Sequence, residues 1–162
     1  DPSYLPNLAK TYVNAGVAYD DLHDLKRAIA YYDKALSIYE PLARENPSYL
    51  PDLAGTYISF AFAHFALGNL EAFKTFIVKG LSLPLAKSYL MEQIPIIIDI
   101  ALMLLDANEL SFIFKQTLIA RGSEHEELCD AFRDVAENLS TDQNPKKREL
   151  AELLSGLLQK YC

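Results

Sequence analysis

The sequence predicts an all-α fold in which helical hairpins repeat along the chain as a solenoid. Three observations predict it: a segment of fourteen residues occurs twice, apolar residues recur at helical spacing on both sides of each turn, and small residues coincide in successive copies. The 162 residues, 51% of them hydrophobic and 23% charged, exclude a disordered segment and are enough to bury a core within one domain, residues 1–162.

The duplicated segment fixes the register of the repeat. Residues 1–14 (DPSYLPNLAKTYVN) recur at residues 46–59 (NPSYLPDLAGTYIS), with nine of the fourteen positions identical and an offset of 45. A third copy appears when His23, Gly68 and Asn108 are superposed as turn residues, because leucine stands two places after each of them; it lies 40 residues after the second. We therefore predict three units, at about 1–45, 46–84 and 85–121.

Small and apolar residues indicate that each unit is a helical hairpin. Two helices approach closely only where their side chains are small, and small residues coincide in this register at Gly16, Ala61 and Ala101, and again at Ala35, Gly80 and Ala120. Apolar side chains also follow a helical period in the first unit, at Leu5, Leu8, Tyr12, Gly16 and Tyr19, and then at Leu25, Ala28, Tyr32, Ala35 and Tyr39.

Prolines and capping residues predict where the helices begin. Pro6 and Pro51 are tolerated only in a first helical turn, so the first helices are expected near 6–21 and 51–66. Side chains that accept a backbone N–H at the start of each second helix are expected at Asp24, Asn69 and Asn108. Breaks between units are expected at Pro47 and Pro84.

Two further prolines fall where a helix is expected to continue. Pro41 and Pro95 each lack an N–H and crowd the carbonyl four residues earlier. We therefore predict a kink or a break near Glu40 and near Ile94.

A C-terminal pair of helices, residues 123–162, is predicted to cap the array. Ser123 and Glu126 have the spacing of a capping box at the start of the first helix, and the second helix follows Asn144 and Pro145. This pair lacks the repeat pattern, which is typical of a terminal unit that is covered on one side only.

The stretch NAGVAYDDLHDLKRAIAYYDKALSIYEP, residues 14–41, resembles the tetratricopeptide repeat family. In and beside this stretch, the signature positions of the family are occupied by Tyr12, Gly16, Tyr19, Ala28, Tyr32 and Ala35. The resemblance extends over about 1–121, but the second unit departs from the pattern at His64, Phe73 and Ile77, and the third keeps mainly Ala101, Leu110 and Ala120. The residues beyond the usual 34-residue period imply longer helices or an added turn per unit, as in the longer-helix variants of the family. The resemblance implies a right-handed superhelix.

The resemblance also implies a binding groove on the concave wall that the first helices line. The residues it places there are Val13, Asn14, Val17 and Asp21, then Ile58, Ser59, Phe62 and Phe65, then Ile98, Asp99 and Leu102. Asn14, Ser59 and Asp99 are equivalent, and such a polar row flanked by apolar residues suits a bound main chain. The alternative is that Phe62, Phe65, Ile98 and Leu102 simply pack within the chain. The basic clamp that holds chaperone tails in this family is not expected, because its positions hold Val13, Val17 and Ser59.

Charge and motif content exclude several other functions. The net charge of -7 disfavours nucleic acid and anionic membrane partners, and the longest apolar run, residues 94–105, is shorter than the roughly 20 residues of a membrane span. No catalytic motif, cofactor or metal site is predicted, since His125 and Cys129 offer two ligands where structural zinc needs four. Cys129 and Cys162 are expected to be reduced thiols, and a cytoplasmic location is expected.

The sequence therefore predicts a non-enzymatic scaffold that holds a protein or peptide of unknown identity. Two alternatives remain open. One is a self-association element, a homodimer formed through the terminal helices, above all Lys146 to Tyr161, because repeat arrays end on a face that expects a neighbour. The other is a regulatory sensor module of a larger multidomain protein.

Overall fold

The computed structural model describes residues 2–122 and 126–162, and within them every regular element is helical. The all-α helical-repeat class is thereby confirmed. Short 3₁₀ helices at Pro2–Tyr4 and Pro47–Tyr49 precede the first and third of the eight described α-helices, which are α1 (Leu5–Asp21), α2 (Leu25–Glu45), α3 (Leu50–Ala66), α4 (Leu70–Leu81), α5 (Lys87–Ala101), α6 (Ala107–Arg121), α7 (Glu126–Ser140) and α8 (Pro145–Tyr161).

Contacts divide the chain into two compact units, Asp1–Leu83 and Pro84–Cys162. The division falls at Pro84, the residue expected to separate the second and third repeats. The first unit contains α1 to α4 and the second contains α5 to α8. The assignment of all residues to one repeat domain, and the superhelix that the resemblance implies, stay predictions.

The first unit consists of two helical hairpins. α1 packs against α2, α3 packs against α4, and the hairpins meet mainly through α2 and α3. At the crossing of α1 and α2, a Cβ added to Gly16 would lie 2.6 Å from Cε1 of Tyr32, a side chain that is only 1% exposed. At the crossing of α3 and α4, a Cβ added to Gly80 would lie 3.2 Å from Cγ1 of Ile58. The small residues at these two positions are what allow the helices to approach.

Local signals place the ends of these helices as predicted. Asp24 accepts a 3.2 Å hydrogen bond from the backbone N–H of Arg27, and Asn69 accepts one of 3.1 Å from Ala72. The turns before them contain His23 and Gly68 with φ of 57° and 82°, a left-handed conformation that closes a helix.

The expectation that Asn108 caps a helix is wrong, and the break expected as one of two outcomes at each internal proline does not occur. Asn108 does not cap α6; Asp106 does, with Glu109 completing a capping box, so the helix begins at Ala107. A break does not occur at either internal proline, because α2 runs through Pro41 and α5 runs through Pro95. The alternative, a kink near Glu40 and near Ile94, stays a prediction. Each helix is held by buried neighbours on both sides of its proline, namely Tyr39 and Ala43 in α2, and Ile94 and Ile97 in α5.

The second unit is connected differently from the first. α5 packs mainly against α7, α6 mainly against α8, and α7 against α8. The expected third hairpin, α5 with α6, is not among the close helix pairs of the described residues. The C-terminal helices supply much of this unit's core instead, through Leu128, Phe132, Leu150 and Leu154, each fully buried.

A disulfide joins Cys129 in α7 to Cys162 after α8, with the two Cα atoms 6.0 Å apart. The expectation of reduced thiols is therefore wrong, because the packing of α8 on α7 brings together two cysteines that are 33 residues apart in the sequence. The capping position Ser123 and the metal candidate His125 lie outside the described residues.

Candidate functional site

Two residues at equivalent positions of the duplicated segment, Asn14 in α1 and Ser59 in α3, line one cleft of about 270 Å³. We call it the α1–α3 cleft. Its other lining residues are Lys10, Val13, Tyr39, Pro51, Asp52, Gly55 and Thr56.

The polar groups of the α1–α3 cleft are of two kinds. Asn14, Lys10 and Asp52 are exposed and offer an amide, an ammonium group and a carboxylate. The Thr56 hydroxyl is engaged in the fold, since it donates a 2.7 Å bond to the carbonyl oxygen of Asp52, and the half-buried Ser59 side chain interacts with Tyr32. The exposed polar groups that a ligand could reach are therefore the Lys10 ammonium group, the Asp52 carboxylate and the Asn14 amide.

Tyr32 connects the cleft to the core of the first hairpin. Burial raises the pKa of its hydroxyl to about 12, with the negative charges of Asp20 and Asp21 acting in the same direction and the bond with Ser59 acting against them. Tyr32 in α2 thus interacts with Ser59 in α3, while its ring packs over Gly16 in α1.

The other predicted groove residues of the first unit differ in exposure. Val17, with 44% of its surface exposed, and Asp21 lie on the open side of α1. Ile58 and Phe65 are buried within the unit, and the half-buried ring of Phe62 lies 6.0 Å from that of Phe73. Val17 and Asp21 thus extend an open surface along α1 from the cleft, while Ile58 and Phe65 support α3 from inside.

The predicted groove residues of the second unit have partners there. Ile98 and Leu102 are buried. Asp99 forms an ion pair with Lys147 of α8, at 2.6 Å between Oδ1 and Nζ, and the bond with Asp99 is the first cause that raises the pKa of that lysine. The structure thus brings together Asn14 and Ser59, and it pairs Asp99 with α8.

A second and larger cleft, of about 720 Å³, was not anticipated from the sequence. It lies between the start of α1 and the C-terminal half of α2, and we call it the proline cleft. Its lining residues are Pro2, Ser3, Leu5, Pro6, Ser37, Ile38, Pro41, Leu42, Glu45 and Tyr49. Two sequence signals point to it: Pro41 inside a helix, and a 45-residue repeat offset longer than the usual 34 residues.

His64 places one polar atom of a titratable side chain among aromatic rings. Its Nδ1 atom is buried without a hydrogen-bond partner. Its ring lies edge-on to that of Phe60, with 4.6 Å between the ring centroids, and it stacks on the ring of Phe76, with 5.9 Å between the centroids. Burial lowers its pKa. Among the described residues, no three His, Cys, Asp or Glu side chains converge as ligands for a metal ion, and none of the described helices is long and apolar enough to cross a membrane.

Comparison with known proteins gives a family for the first hairpin. Residues 9–41 match the family model described as tetratricopeptide repeat, and this range runs from Ala9 in α1 to Pro41 in α2. Neither the curated proteins nor the solved structures contain a match to the chain. The α1–α2 hairpin is therefore similar to a tetratricopeptide repeat over residues 9–41.

Proposed function

We propose that this chain is a non-enzymatic module that binds a protein or a peptide, and that the α1–α3 cleft is part of its binding surface. Tetratricopeptide repeats generally mediate interactions between proteins, which supports the first half of the proposal. The observation that carries the second half is that Asn14 and Ser59, equivalent in the two copies of the duplicated segment, line the same cleft.

The chemistry of the α1–α3 cleft suits an extended main chain. A side-chain amide both donates and accepts, so Asn14 can pair with the N–H and the C=O of one peptide unit. Lys10 and Asp52 carry opposite charges at the cleft and favour a segment with both an acidic and a basic side chain. Val13 and Pro51 supply apolar contact.

Selection of a random peptide library on the chain, followed by affinity measurements on the enriched peptides, tests this proposal. We expect Asn14→Ala to weaken a peptide held in the α1–α3 cleft by about tenfold, the scale of a lost hydrogen bond to a desolvated ligand. Asn7→Ala is the matched control, because Asn7 is exposed on the same helix and lines neither cleft. Enriched peptides that bind both variants as tightly as the original chain would contradict a site at Asn14.

Self-association through α8 is the second candidate, and the packing of that helix favours it less. Leu150, Ala151 and Leu154 are buried within the second unit, while Leu153, Leu157 and Leu158 remain half-buried. Three of these six apolar residues of α8 are therefore covered and the other three are partly covered. Sedimentation at several protein concentrations decides the question: we expect a constant monomer mass, and a mass that rises with concentration would support the dimer.

The remaining expectations about partners and location stay predictions. The net charge of -7 supports protein partners over nucleic acid. The Cys129–Cys162 disulfide weighs against the expected cytoplasmic location, since disulfides persist mainly in oxidising compartments. A role as the regulatory module of a larger protein is tested by the sequence of its flanking domains.

A further inference from the structure

The proline cleft shares no lining residue with the α1–α3 cleft. One wall is the start of the chain's first repeat, with Pro2, Leu5 and Pro6. The other wall is the end of α2, with Ile38 and Leu42 as its half-buried aliphatic residues. It is therefore a separate site, and evidence for one cleft is not evidence for the other.

The unusual length of α2 builds this cleft. α2 has 21 residues, whereas the corresponding α4 has 12 and ends at Leu81. The additional turns of α2 include residues 37–45, and these residues form the wall that faces Pro2 and Pro6. The cleft thus comes from the residues by which this repeat exceeds the usual 34-residue period.

The wall of the proline cleft contains a helix position at which one backbone hydrogen bond is missing. Pro41 has no N–H, so it cannot donate to the carbonyl oxygen of Ser37, four residues earlier, as other residues of a helix do. Both residues line the cleft. A carbonyl that lacks its helical donor is a ready acceptor for the N–H of a bound segment.

The charge of the proline cleft has one sign. Among its lining residues in the described part of the chain, Glu45 alone carries a charge, and its side chain is exposed. The neighbouring cation, Arg44, does not line the cleft; its Nε donates a 3.3 Å bond to the carbonyl oxygen of Glu40. The negative charge at this end of α2 is therefore open to a partner, and the net charge of -7 reinforces it.

We propose that the proline cleft is a second peptide-binding site, and that its ligand is a segment in which a lysine or arginine stands beside aliphatic residues. A backbone N–H of the segment donates to the Ser37 carbonyl oxygen, and the basic side chain pairs with Glu45. The aliphatic side chains pack against Leu5, Ile38 and Leu42.

The probe is a random peptide library displayed on phage, selected on the intact chain and followed by fluorescence anisotropy of the enriched peptides. We expect lysine or arginine next to leucine or isoleucine to be enriched, and Glu45→Lys to weaken these peptides by about tenfold or more, because it replaces an attraction by a repulsion. The matched control is Asp33→Lys, which reverses an exposed charge of the same helix outside the cleft. An equal loss in both variants would reduce the effect to overall charge and overturn the site.

Pro41→Ala separates binding from folding. Alanine supplies the N–H that the Ser37 carbonyl lacks and is the better helix former. We expect it to keep or raise the melting temperature and to weaken the same peptides several-fold. Peptides that bind Pro41→Ala at full strength would overturn the role of this carbonyl.

Two further outcomes decide between the clefts. Asn14→Ala should leave the affinity of the basic-aliphatic peptides unchanged; a loss would assign them to the α1–α3 cleft and overturn the second site while sparing the first. Absence of any enriched basic-aliphatic peptide overturns the proposal as well.

Discussion

The hydroxyl of Tyr57 in α3 donates a 2.6 Å hydrogen bond to Oε1 of Glu40 in α2. Tyr57 is 7% exposed, and burial is the first cause of its raised pKa, followed by the bond to Glu40. The bond joins the two hairpins of the first unit at their largest shared interface. A charged acceptor makes it one of the stronger links between repeats.

Loss of this bond should loosen the first unit. We expect Tyr57→Phe to lower the free energy of unfolding by about 1–2 kcal/mol, because hydrogen bonds to charged groups contribute on that scale and Glu40 would lose its partner. Urea titration measures the change. Tyr4→Phe, at a tyrosine that is 58% exposed, is the control and should change nothing measurable.

The crossing of α1 and α2 leaves no room for a methyl group at Gly16. We expect Gly16→Ala to destabilise the chain by about 1–3 kcal/mol, because the new Cβ would meet a buried Tyr32 ring that cannot move away. Gly156→Ala in α8 is the matched helical control: a Cβ there has nothing within 4 Å, so we expect a gain of about 0.5–1 kcal/mol. If both substitutions changed the free energy of unfolding in the same direction, this explanation of the crossing would be contradicted.

Stability should fall at alkaline pH through the buried tyrosines. The pKa of Tyr32 is raised from 10.0 to about 12, so the unfolded chain releases the proton first as the pH rises. The contribution of Tyr32 is fully present below pH 10 and is lost between pH 10 and about pH 12. Tyr39 and Tyr57 are raised in the same direction. The urea concentration at the unfolding midpoint should therefore fall as the pH rises through this range, and it should fall less steeply for the Tyr32→Phe variant.

Stability should also fall at mildly acidic pH through His64. Burial lowers its pKa below 6.5, so the unfolded chain binds the proton more readily than the folded chain. The loss begins as the pH falls through 6.5 and ends below the folded pKa. We expect His64→Leu to remove this part of the pH dependence. Urea midpoints at a series of pH values compare this variant with the original chain.

The disulfide should stabilise the second unit. It closes a separation of 33 residues, and loop closure of this length contributes about 2–4 kcal/mol to the free energy of unfolding. We expect dithiothreitol to lower the unfolding midpoint of the original chain. Cys162→Ser should unfold at that lower midpoint with or without the reductant; a response of this variant to dithiothreitol would contradict the disulfide as the cause.

Local sequence signals predicted the helix boundaries of the first unit. Pro6 and Pro51 marked the first turns of α1 and α3, and Asp24 and Asn69 marked the starts of α2 and α4, so the expected ends of α1 and α3 lie within one residue of those found. The register made Asn14 equivalent to Ser59, and both residues line the α1–α3 cleft, whereas Asp99, the third residue of the predicted row, does not.

Other features depended on contacts between distant residues. The register placed Asn108 in a turn, whereas the spacing of Asp106 and Glu109 was the better local sign of a helix start. Breaks at Pro41 and Pro95 were overridden by burial of the surrounding side chains. The pairing of Cys129 with Cys162 needs the packing of α8 on α7, which no spacing in the sequence reveals.

Adjacent residues of α2 serve different clefts: Tyr39 lines the α1–α3 cleft and Ile38 lines the proline cleft. A rotation of α2 about its axis therefore reshapes both at once. Two ligands that favour different orientations of this helix would bind with negative cooperativity, and two that favour the same orientation would bind with positive cooperativity. Each ligand would change the affinity of the other by the same factor. The two proposed sites would in that case be coupled through one helix.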